Sequence, residues 1–503
     1  MSKQQRLILV VSILASFVAF LDIAVVNVAL PAIQRELGGG LAAQQWVVDA
    51  YLITLGSLIL IAGSLSDLFG RKKILAAGLI GFAVASVLCA AAPTSEFLIV
   101  ARALQGVAGA LLVPSSLALI ISSFSGPAQG KAIGTWTAWT GISFIVGPLV
   151  GGLMVDLASW RLVFAINVIP IAVTLFLMKS ITLKEAVREN TKVDFLGSIL
   201  CAAGLGGTVF ALIEQPNYSW THPLIYLPLA AGIFLLALFF WHERRTPHPM
   251  LPLSLFKVRN FTAGNLATLA IYAGLTVSSF LITVYVQQVG GYSALAAGMT
   301  LLPVTILLFM LSSRFGALAA KHGPRWFMTF GPIIGGLGFL LLLSVNRDLN
   351  YWTQLFPGIM LFSLGLAMTV APLTTAVLAD IDNRQAGIGS AINNAVARIA
   401  GLLAVAALGA VVATQFNTVV HHNVERSTLS QPAQEAVEKA SVFDIKAAET
   451  LGSERELAED VLYNASLSAF HVGVWVMALL LIAGGLISAV GIRNRQPEKA
   501  QAP

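Results

Sequence analysis

The stretch LILVVSILASFVAFLDIAVVNVALP, residues 7–31, decides the fold of this 503-residue chain. Asp22 is its only charged residue, and an α-helix needs about 20 apolar residues to cross the hydrocarbon core of a bilayer. A carboxylate near the middle of such a helix costs about 2.5–3.5 kcal/mol. It is tolerated where it faces water, a partner or a proton path. The stretch therefore predicts a membrane-spanning helix that carries a functional carboxylate.

The whole chain has the composition of a membrane protein. It is 57% hydrophobic and 11% charged, whereas soluble domains carry about 25% charged residues. A transmembrane β-barrel would show alternating segments of about ten residues, and the chain shows longer apolar runs instead. We therefore predict an all-α polytopic membrane protein with fourteen transmembrane helices. The predicted spans are 7–31, 45–65, 74–92, 96–121, 131–154, 160–179, 194–214, 223–241, 260–287, 294–315, 326–345, 353–378, 387–413 and 467–492.

The positive charges predict the orientation. Most of the 30 lysines and arginines fall on one set of alternating loops, which is typical of the cytoplasmic side. We expect a multi-pass protein of the plasma (inner) membrane with both termini in the cytoplasm. The net charge of +6 indicates contact with anionic membrane lipids and no nucleic-acid partner, because the basic residues are spread over separate short loops. Cys89 and Cys201 lie inside predicted spans and are interpreted as core residues, with no metal site.

Two loops on the predicted cytoplasmic side share a skeleton. GSLSDLFGRK at 63–72 aligns with GALAAKHGPR at 316–325, so two glycines and a final basic residue recur. Parallel repeats of six helices are a known transporter architecture, with the substrate site between the halves. We therefore predict an N-terminal six-helix bundle at 1–179, inserted helices seven and eight with their linkers at 180–259, a C-terminal six-helix bundle at 260–492 and a cytoplasmic tail at 493–503.

The predicted outer loop, residues 414–466, is the largest loop of the chain and is rich in acidic residues. Its stretches 432–439 and 453–465 are patterned as short amphipathic helices. A solvated hairpin and a lid or partner-docking role both remain open for this loop.

The first repeated loop has the chemistry of a tight, charged turn. It contains Gly63, Asp67, Gly70, Arg71 and Lys72. Glycine permits a close-packed turn, and the aspartate is suited to pair with a base or to cap the following helix.

Two further motifs lie inside predicted spans. Arg102, in the fourth span, keeps its proton and must therefore be paired or hydrated within the membrane. In the fifth span, Pro148 removes a backbone donor and bends the helix. The glycines beside it, Gly147, Gly151 and Gly152, allow a neighbouring helix to approach closely.

Together with Asp22 and residues 160–170, these motifs resemble the major facilitator superfamily, and specifically its fourteen-helix drug:proton antiporter (DHA2-type) branch. The resemblance covers nearly the whole chain. It implies that the 63–72 loop is a cytoplasmic gate, that Asp22 and Arg102 serve proton coupling, and that the fifth span carries the antiporter motif. The usual pattern has threonine two residues after the aspartate, where this chain has Ala24, so one potential hydrogen-bond partner is missing.

The resemblance also implies a function. We expect a proton-coupled antiporter that exports lipophilic, cationic drugs or toxic compounds by alternating access, as a multidrug efflux transporter. It would need no cofactor, because the proton gradient supplies the energy, and it would not be an enzyme. We expect a monomer whose partners are small-molecule lipophilic substrates, protons and membrane lipids. Export of a specific endogenous metabolite or lipid is the main alternative, and a non-transporting membrane sensor or scaffold is the other.

The ionisable residues of the first six spans suggest how protons are carried. At about 1.5 Å per residue, Asp22, Asp49 and Arg102 all fall in the outer half of the first bundle. We hypothesise an Asp22–Arg102 couple, with Asp49 as a second carboxylate. A nearby arginine favours the charged form of a carboxylate and burial disfavours it, so a moving helix would load and release a proton. A static ion pair for Arg102 and an interfacial position for Asp49, near Trp46, are the alternatives.

Substrate contacts carry the weakest sequence signal. Glu214 is either an interfacial residue beside Trp220 or part of a cation site, and Arg398 is either structurally paired or part of the cavity. Aromatic residues near membrane faces are usually interfacial. The candidate cavity residues are Tyr51, Trp136, Trp139, Phe144, Tyr272, Tyr285, Gln288 and Arg398.

Overall fold

The computed structural model describes residues 1–124, 126–182, 193–378, 380–381 and 386–494. Every regular element in these residues is helical, which confirms the predicted all-α class. Short 3-10 or π segments occupy Leu253–Lys257, Leu341–Ser344, Tyr351–Leu355, Ile445–Thr450 and Gly452–Glu454. The α-helices are α1 (Lys3–Leu37), α2 (Gly40–Phe69), α3 (Arg71–Ala90), α4 (Ser95–Ser123), α5 (Gly126–Gly141), α6 (Ser143–Leu157), α7 (Arg161–Ala165), α8 (Val168–Lys179), α9 (Phe195–Tyr218), α10 (Pro223–Arg245), α11 (Arg259–Gln288), α12 (Ala294–Thr300), α13 (Leu302–His322), α14 (Arg325–Leu340), α15 (Phe356–Leu378), α16 (Ala386–Arg426), α17 (Gln431–Glu438) and α18 (Arg455–Gly491).

Twelve helices in the described part of the chain are long and apolar enough to cross a membrane. They coincide with twelve of the predicted spans. The other two predicted spans, 45–65 and 131–154, coincide with α2 and with the consecutive helices α5 and α6. The predicted count of fourteen is therefore not confirmed and stays a prediction.

Several helices extend beyond their predicted ends. The prediction ended the first span at Pro31, but α1 continues through this proline to Leu37. Proline costs one backbone hydrogen bond without necessarily ending a helix. Likewise, α16 runs 41 residues to Arg426, well past the predicted end at residue 413.

The helix ends follow from local side-chain chemistry. At the start of α1, the Ser2 hydroxyl accepts from the Gln5 backbone N–H at 3.1 Å, and the Gln5 side chain accepts from the Ser2 N–H at 2.9 Å. This is a capping box. In the two repeated loops, Gly70 and Gly323 have φ angles of +96° and +87°, a region that glycine enters without steric cost. The glycines aligned in sequence thus make the same kind of turn.

The chain forms two compact units, and the first comprises Met1–Leu251, Thr276–Leu302 and Leu402–Gly473. Within it, α4 packs against α1, α2 and α3, and α6 packs between α1 and α12. Helices α2 and α4 approach so closely that a Cβ at Gly106 would lie 2.3 Å from the Tyr51 carbonyl oxygen. Small residues allow this backbone contact in a membrane protein.

The second unit comprises Pro252–Leu275, Pro303–Gly401 and Val474–Pro503. Its described part includes the paired helices α14 and α15, where a Cβ at Gly365 would lie 2.4 Å from the Gly331 carbonyl oxygen. This division follows compactness, and the predicted boundaries at 179, 259 and 492 stay a prediction.

Candidate functional site

Asp22 and Arg102 form a buried ion pair between α1 and α4. The Arg102 Nη1 lies 2.6 Å from Asp22 Oδ2, and the two side chains are 2% and 0% exposed. Arg102 also donates from Nε to the Val47 carbonyl at 2.9 Å and from Nη1 to Gln105 Oε1 at 2.7 Å. The guanidinium therefore has three acceptors, which is how a permanent cation is accommodated inside a membrane helix bundle.

The second carboxylate oxygen of Asp22 is also saturated. Its Oδ1 accepts from Gln105 Nε2 at 2.8 Å and from Asn167 Nδ2 at 2.9 Å. Both amides lie within 3.0–3.4 Å of the Ser86 hydroxyl. We call Asp22, Ser86, Arg102, Gln105 and Asn167 the Asp22 cluster. A network in which both charged groups have several hydrogen-bond partners offsets part of the cost of burying the charge.

The sequence positions these side chains through ordinary helix geometry. Arg102 and Gln105 are three residues apart on α4 and so share one face. Asn167 lies at the junction of α7 and α8, where the helix is interrupted. The ring of Tyr51 on α2 lies under the guanidinium, 4.3 Å from its carbon to the ring centre. Such a contact is a cation–π interaction.

The pairing of Asp22 with Arg102 was predicted from the sequence. The three neutral members of the cluster, Ser86, Gln105 and Asn167, were not. The i,i+3 spacing of Gln105 from Arg102 was a usable signal for one of them. Asn167 lay in the 160–170 stretch, and Ser86 in an apolar span, with no pattern that linked either to Asp22.

Asp49 does not join the Asp22 cluster. Its side chain is 0% exposed, and neither carboxylate oxygen has a hydrogen-bond partner among the described residues. The interfacial alternative concerns depth in the membrane and stays open. Trp46, one turn away, instead donates its indole N–H to Glu214 Oε1 at 2.9 Å. Glu214 also accepts from Asn217 at 3.0 Å, so its observed partners lie on α2 and α9.

The 63–72 loop is tied to its own unit by backbone contacts. Gly63 lies in α2, which ends at Phe69, and Gly70 makes the turn into α3. The Arg71 guanidinium donates to the Ala118 carbonyl at 3.2 Å, and the Lys72 ammonium donates to the Ile181 carbonyl at 2.6 Å. The side chain of Asp67 lies outside the described residues. A gating role for the loop stays a prediction.

Helix α6, which contains Gly147 and Pro148, packs closely against α1 and α12. A Cβ at Gly147 would lie 2.5 Å from the Ala24 Cβ on α1. On the other side of α6, a Cβ at Gly152 would lie 2.4 Å from the Leu295 Cα of α12. Ala24, the departure from the usual pattern, therefore stands at the contact with α6, where there is little room for a larger side chain.

The end of α6 is also held electrostatically. The two oxygens of Asp156 accept from the backbone N–H groups of Ala294 and Leu295 at 3.0 and 2.9 Å. These are the first two residues of α12. A carboxylate is favoured there because the first N–H groups of a helix have no partner within the helix.

The cavity candidates have different surroundings. Tyr51 and Tyr285 are each 1% exposed, and Tyr285 stacks on Phe470 with ring centres 4.1 Å apart. Trp136 donates to the Ser16 hydroxyl at 3.1 Å, and Gln288 donates to Gln34 Oε1 at 2.5 Å.

The remaining cavity candidates are less enclosed or belong to the second unit. Trp139 is 54% exposed, whereas the side chain of Phe144 lies outside the described residues. In the second unit, Tyr272 and Arg398 are both half-buried. The structure thus packs some of the candidates and leaves their role in substrate binding a prediction.

The 414–466 segment is folded. Its helix α17 (Gln431–Glu438) overlaps the predicted amphipathic stretch 432–439, and the second stretch, 453–465, covers the end of the 3-10 segment Gly452–Glu454 and the start of α18. Phe443 is fully buried with its ring 5.7 Å from that of Tyr285, and its φ angle is +68°. Positive φ is unusual for an aromatic residue and requires support from the surroundings.

Comparison with known proteins identifies the family. Residues 12–405 match the Major Facilitator Superfamily. The methylenomycin A resistance protein of Bacillus subtilis is 33% identical over 411 residues, covering 80% of this chain and 87% of the relative. The multidrug resistance protein Stp of Mycobacterium tuberculosis is 31% identical over 448 residues, covering 88% and 82%.

The fold comparison agrees. The crystal structure of a bacterial homolog of the human lysosomal transporter Spinster, in an inward-facing and unoccupied conformation, superposes with a TM-score of 0.70. It covers 98% of both chains at 13% sequence identity, which supports the fold alone. With its membrane-length helices, its matched sequence and this fold, the chain belongs to the Major Facilitator Superfamily and is a membrane transporter rather than an enzyme.

Proposed function

We propose that this chain is a proton-coupled antiporter that exports lipophilic compounds, including drugs, by alternating access. The observation that carries the proposal is the Asp22 cluster, a charged pair at full burial inside a membrane bundle. Ionisable residues are expensive at this depth and are typical of proton relays. The resistance proteins to which the chain is similar support export as the direction of transport.

The cluster has the chemistry needed to exchange a proton. A protonated Asp22 would lose its charge attraction to Arg102, while Arg102 would keep the Val47 carbonyl and Gln105 Oε1 as acceptors. The cation would therefore not be stranded when the carboxylate is neutral. Asn167 and Gln105 would still donate to Asp22 Oδ1 if the proton were on Oδ2. The neutral carboxyl thus keeps both amide donors, and Arg102 keeps two acceptors.

One proton supplies enough energy for useful export. Moving a unit charge through 100 mV is worth about 2.3 kcal/mol. At about 1.4 kcal/mol per tenfold ratio, this sustains a substrate gradient of roughly fifty-fold. The proton gradient would then be the energy source, and no cofactor is required by this scheme.

Asp49 is the second proposed proton carrier. Burying a charged carboxylate without a hydrogen-bond partner is far more costly than burying a neutral one. We therefore propose that Asp49 is protonated in this conformation and loses its proton when α2 moves. In the same scheme the 63–72 loop is the cytoplasmic gate, both termini are cytoplasmic, and the transporter acts as a monomer in the plasma membrane.

The test is transport in proteoliposomes with an imposed pH gradient, using purified full-length protein and a panel of cationic, neutral, acidic and lipid compounds. We expect Asp22→Asn to abolish substrate-driven proton movement and Asp49→Asn to reduce the number of protons per substrate. Asp348→Asn, the same chemical change at an exposed position, is the matched control and should behave as wild type.

Two outcomes would contradict the proposal. Asp22→Asn protein that exchanges protons for substrate at the wild-type stoichiometry would remove Asp22 from the mechanism. Flux that is unchanged when the proton gradient is collapsed would remove antiport altogether. Transport of one lipid or metabolite alone would favour the specific-exporter alternative.

A further inference from the structure

The two carboxylates proposed for proton coupling, Asp22 and Asp49, are closed off in the first unit. Asp22 and Asp49 are both 0% exposed. Both oxygens of the Asp22 carboxylate already accept hydrogen bonds, from Arg102, Gln105 and Asn167. The expectation of a cationic substrate depended on these carboxylates, and neither is exposed in this structure.

The second unit has the opposite charge balance. The sequence places no aspartate or glutamate in its helical stretches 259–275, 303–322, 325–340, 356–378, 386–401 and 474–491. Arg398 lies in one of these stretches, on α16. At about 1.5 Å per residue it is about 18 Å from the start of α16, near the middle of a hydrocarbon core of about 30 Å. The deep charge of this unit is therefore positive.

Arg398 belongs to a polar row on α16. Ser390, Asn394 and Arg398 are spaced four residues apart and therefore share one face of the helix. Asn394 is exposed, and Ser390 and Arg398 are half-buried. Polar and charged side chains that are open at this depth face a water-filled cavity rather than lipid. The row leads from the start of α16 to mid-membrane.

Helix α11 supplies hydroxyl and amide groups beside this row. Asn393 on α16 donates to Asn265 Oδ1 at 3.2 Å and to Thr268 Oγ1 at 2.7 Å, both on α11. One turn further along the same face of α11 is Tyr272, which is half-buried like Arg398. A guanidinium and a phenol hydroxyl on these two neighbouring helices are donors suited to a carboxylate or another oxyanion.

We propose that Ser390, Asn394, Arg398 and Tyr272 form the polar subsite of the substrate, and that the substrate class is lipophilic organic acids. The acidic group of the compound would accept hydrogen bonds from Arg398 and Tyr272, while its apolar part would contact the neighbouring apolar side chains. This inference rests on the proposed transport function and reverses the charge of the expected substrate.

The test measures equilibrium binding to purified full-length protein with no pH gradient. Three probes share one aromatic hydrophobic scaffold and differ only in bearing a carboxylate, a carboxamide or a primary amine. Wild-type protein should bind the carboxylate at least about tenfold more tightly than the amine, a difference of about 1.4 kcal/mol. Arg398→Gln should weaken carboxylate binding by a similar factor and leave carboxamide binding within about twofold, because only the charge-assisted contact is lost.

Matched variants separate charge from folding. Arg398→Lys should retain part of the preference, and Arg314→Gln, which removes an exposed arginine of α13, should leave it unchanged. If Arg398→Gln does not fold, Tyr272→Phe decides, since losing the hydroxyl should weaken carboxylate binding selectively. Tighter binding of the amine, or equal losses for carboxylate and carboxamide, would overturn the inference. Selective acid binding without proton exchange would uphold it while refuting the antiport proposal.

Discussion

The contact of Asp156 with the start of α12 leads to a quantitative prediction. Asp156→Ala removes a carboxylate that accepts two backbone N–H groups, at 3.0 and 2.9 Å, from a neighbouring helix. Losing a side-chain cap costs about 0.5–2 kcal/mol, and hydrogen bonds to charged groups contribute about 1.5–3 kcal/mol. Because Asp156 is exposed, we expect the lower part of these ranges, about 1–2 kcal/mol. Separation of α6 from α12 should then become roughly 5–30 times more frequent.

Hydrogen–deuterium exchange of the purified protein measures this opening. Amide exchange should rise in both α12 and the 147–157 part of α6, since the substitution breaks a link between the two helices. The matched control is Ser293→Ala, which removes the cap that α12 has within its own chain segment, the Ser293 hydroxyl accepting from Ala296 at 3.2 Å. It should raise exchange in α12 alone. Identical exchange patterns for the two variants, or no change in α6, would refute the role of Asp156 as a link.

Three further predictions concern stability and the Asp22 cluster. Gly106→Ala should destabilise the protein by about 1–3 kcal/mol in thermal unfolding, because the added Cβ would lie 2.3 Å from the Tyr51 carbonyl oxygen. Gly134→Ala is the control and should be neutral, because a Cβ at Gly134 would meet nothing within 4 Å. Gly70→Asn and Gly70→Val should both lower expression and thermal stability, because the φ of +96° and ψ of 133° at Gly70 lie outside the left-handed helical region that asparagine enters, and wild-type stability of either variant would contradict the need for glycine at this turn. Asn167→Leu removes one of the hydrogen-bond donors to Asp22. It should lower the free energy of unfolding by about 1–3 kcal/mol and shift the pH dependence of transport. An unchanged pH profile would argue against Asp22 as the proton carrier.

The sequence was sufficient for features set by local physics. The length of the apolar stretches predicted where the membrane helices lie. The cost of burying a charge predicted that Asp22 and Arg102 would form an ion pair. The recurrence of Gly70 and Gly323 in matched loops predicted a tight turn at each position, and both glycines have positive φ angles. In each case one strong energetic term decides the outcome, and its sign can be read from residue type and position.

Features set by tertiary packing were not predictable in the same way. The Asp22 cluster needs Ser86, Gln105 and Asn167 from three different segments, and neutral polar residues in apolar spans have many potential partners. Asp49 and Asp22 looked equivalent by depth, but α4 and the α7–α8 junction give Asp22 its hydrogen-bond partners, whereas Asp49 has none among the described residues. The continuation of α1 past Pro31 likewise depends on neighbours that hold the helix together after one backbone bond is lost.

The buried position of Phe443 has a practical consequence for protein engineering. Its ring packs against Tyr285, which in turn stacks on Phe470. The middle of the 414–466 segment is therefore part of a buried aromatic cluster and cannot be removed like an exposed loop. Replacing residues 441–445 with a flexible linker would uncover two large rings and favour aggregation during purification. Exposed positions of α17, such as Glu435, are the better place to graft an epitope or a rigid fiducial for electron microscopy, since that side chain faces solvent and its salt bridge to Lys439 contributes little.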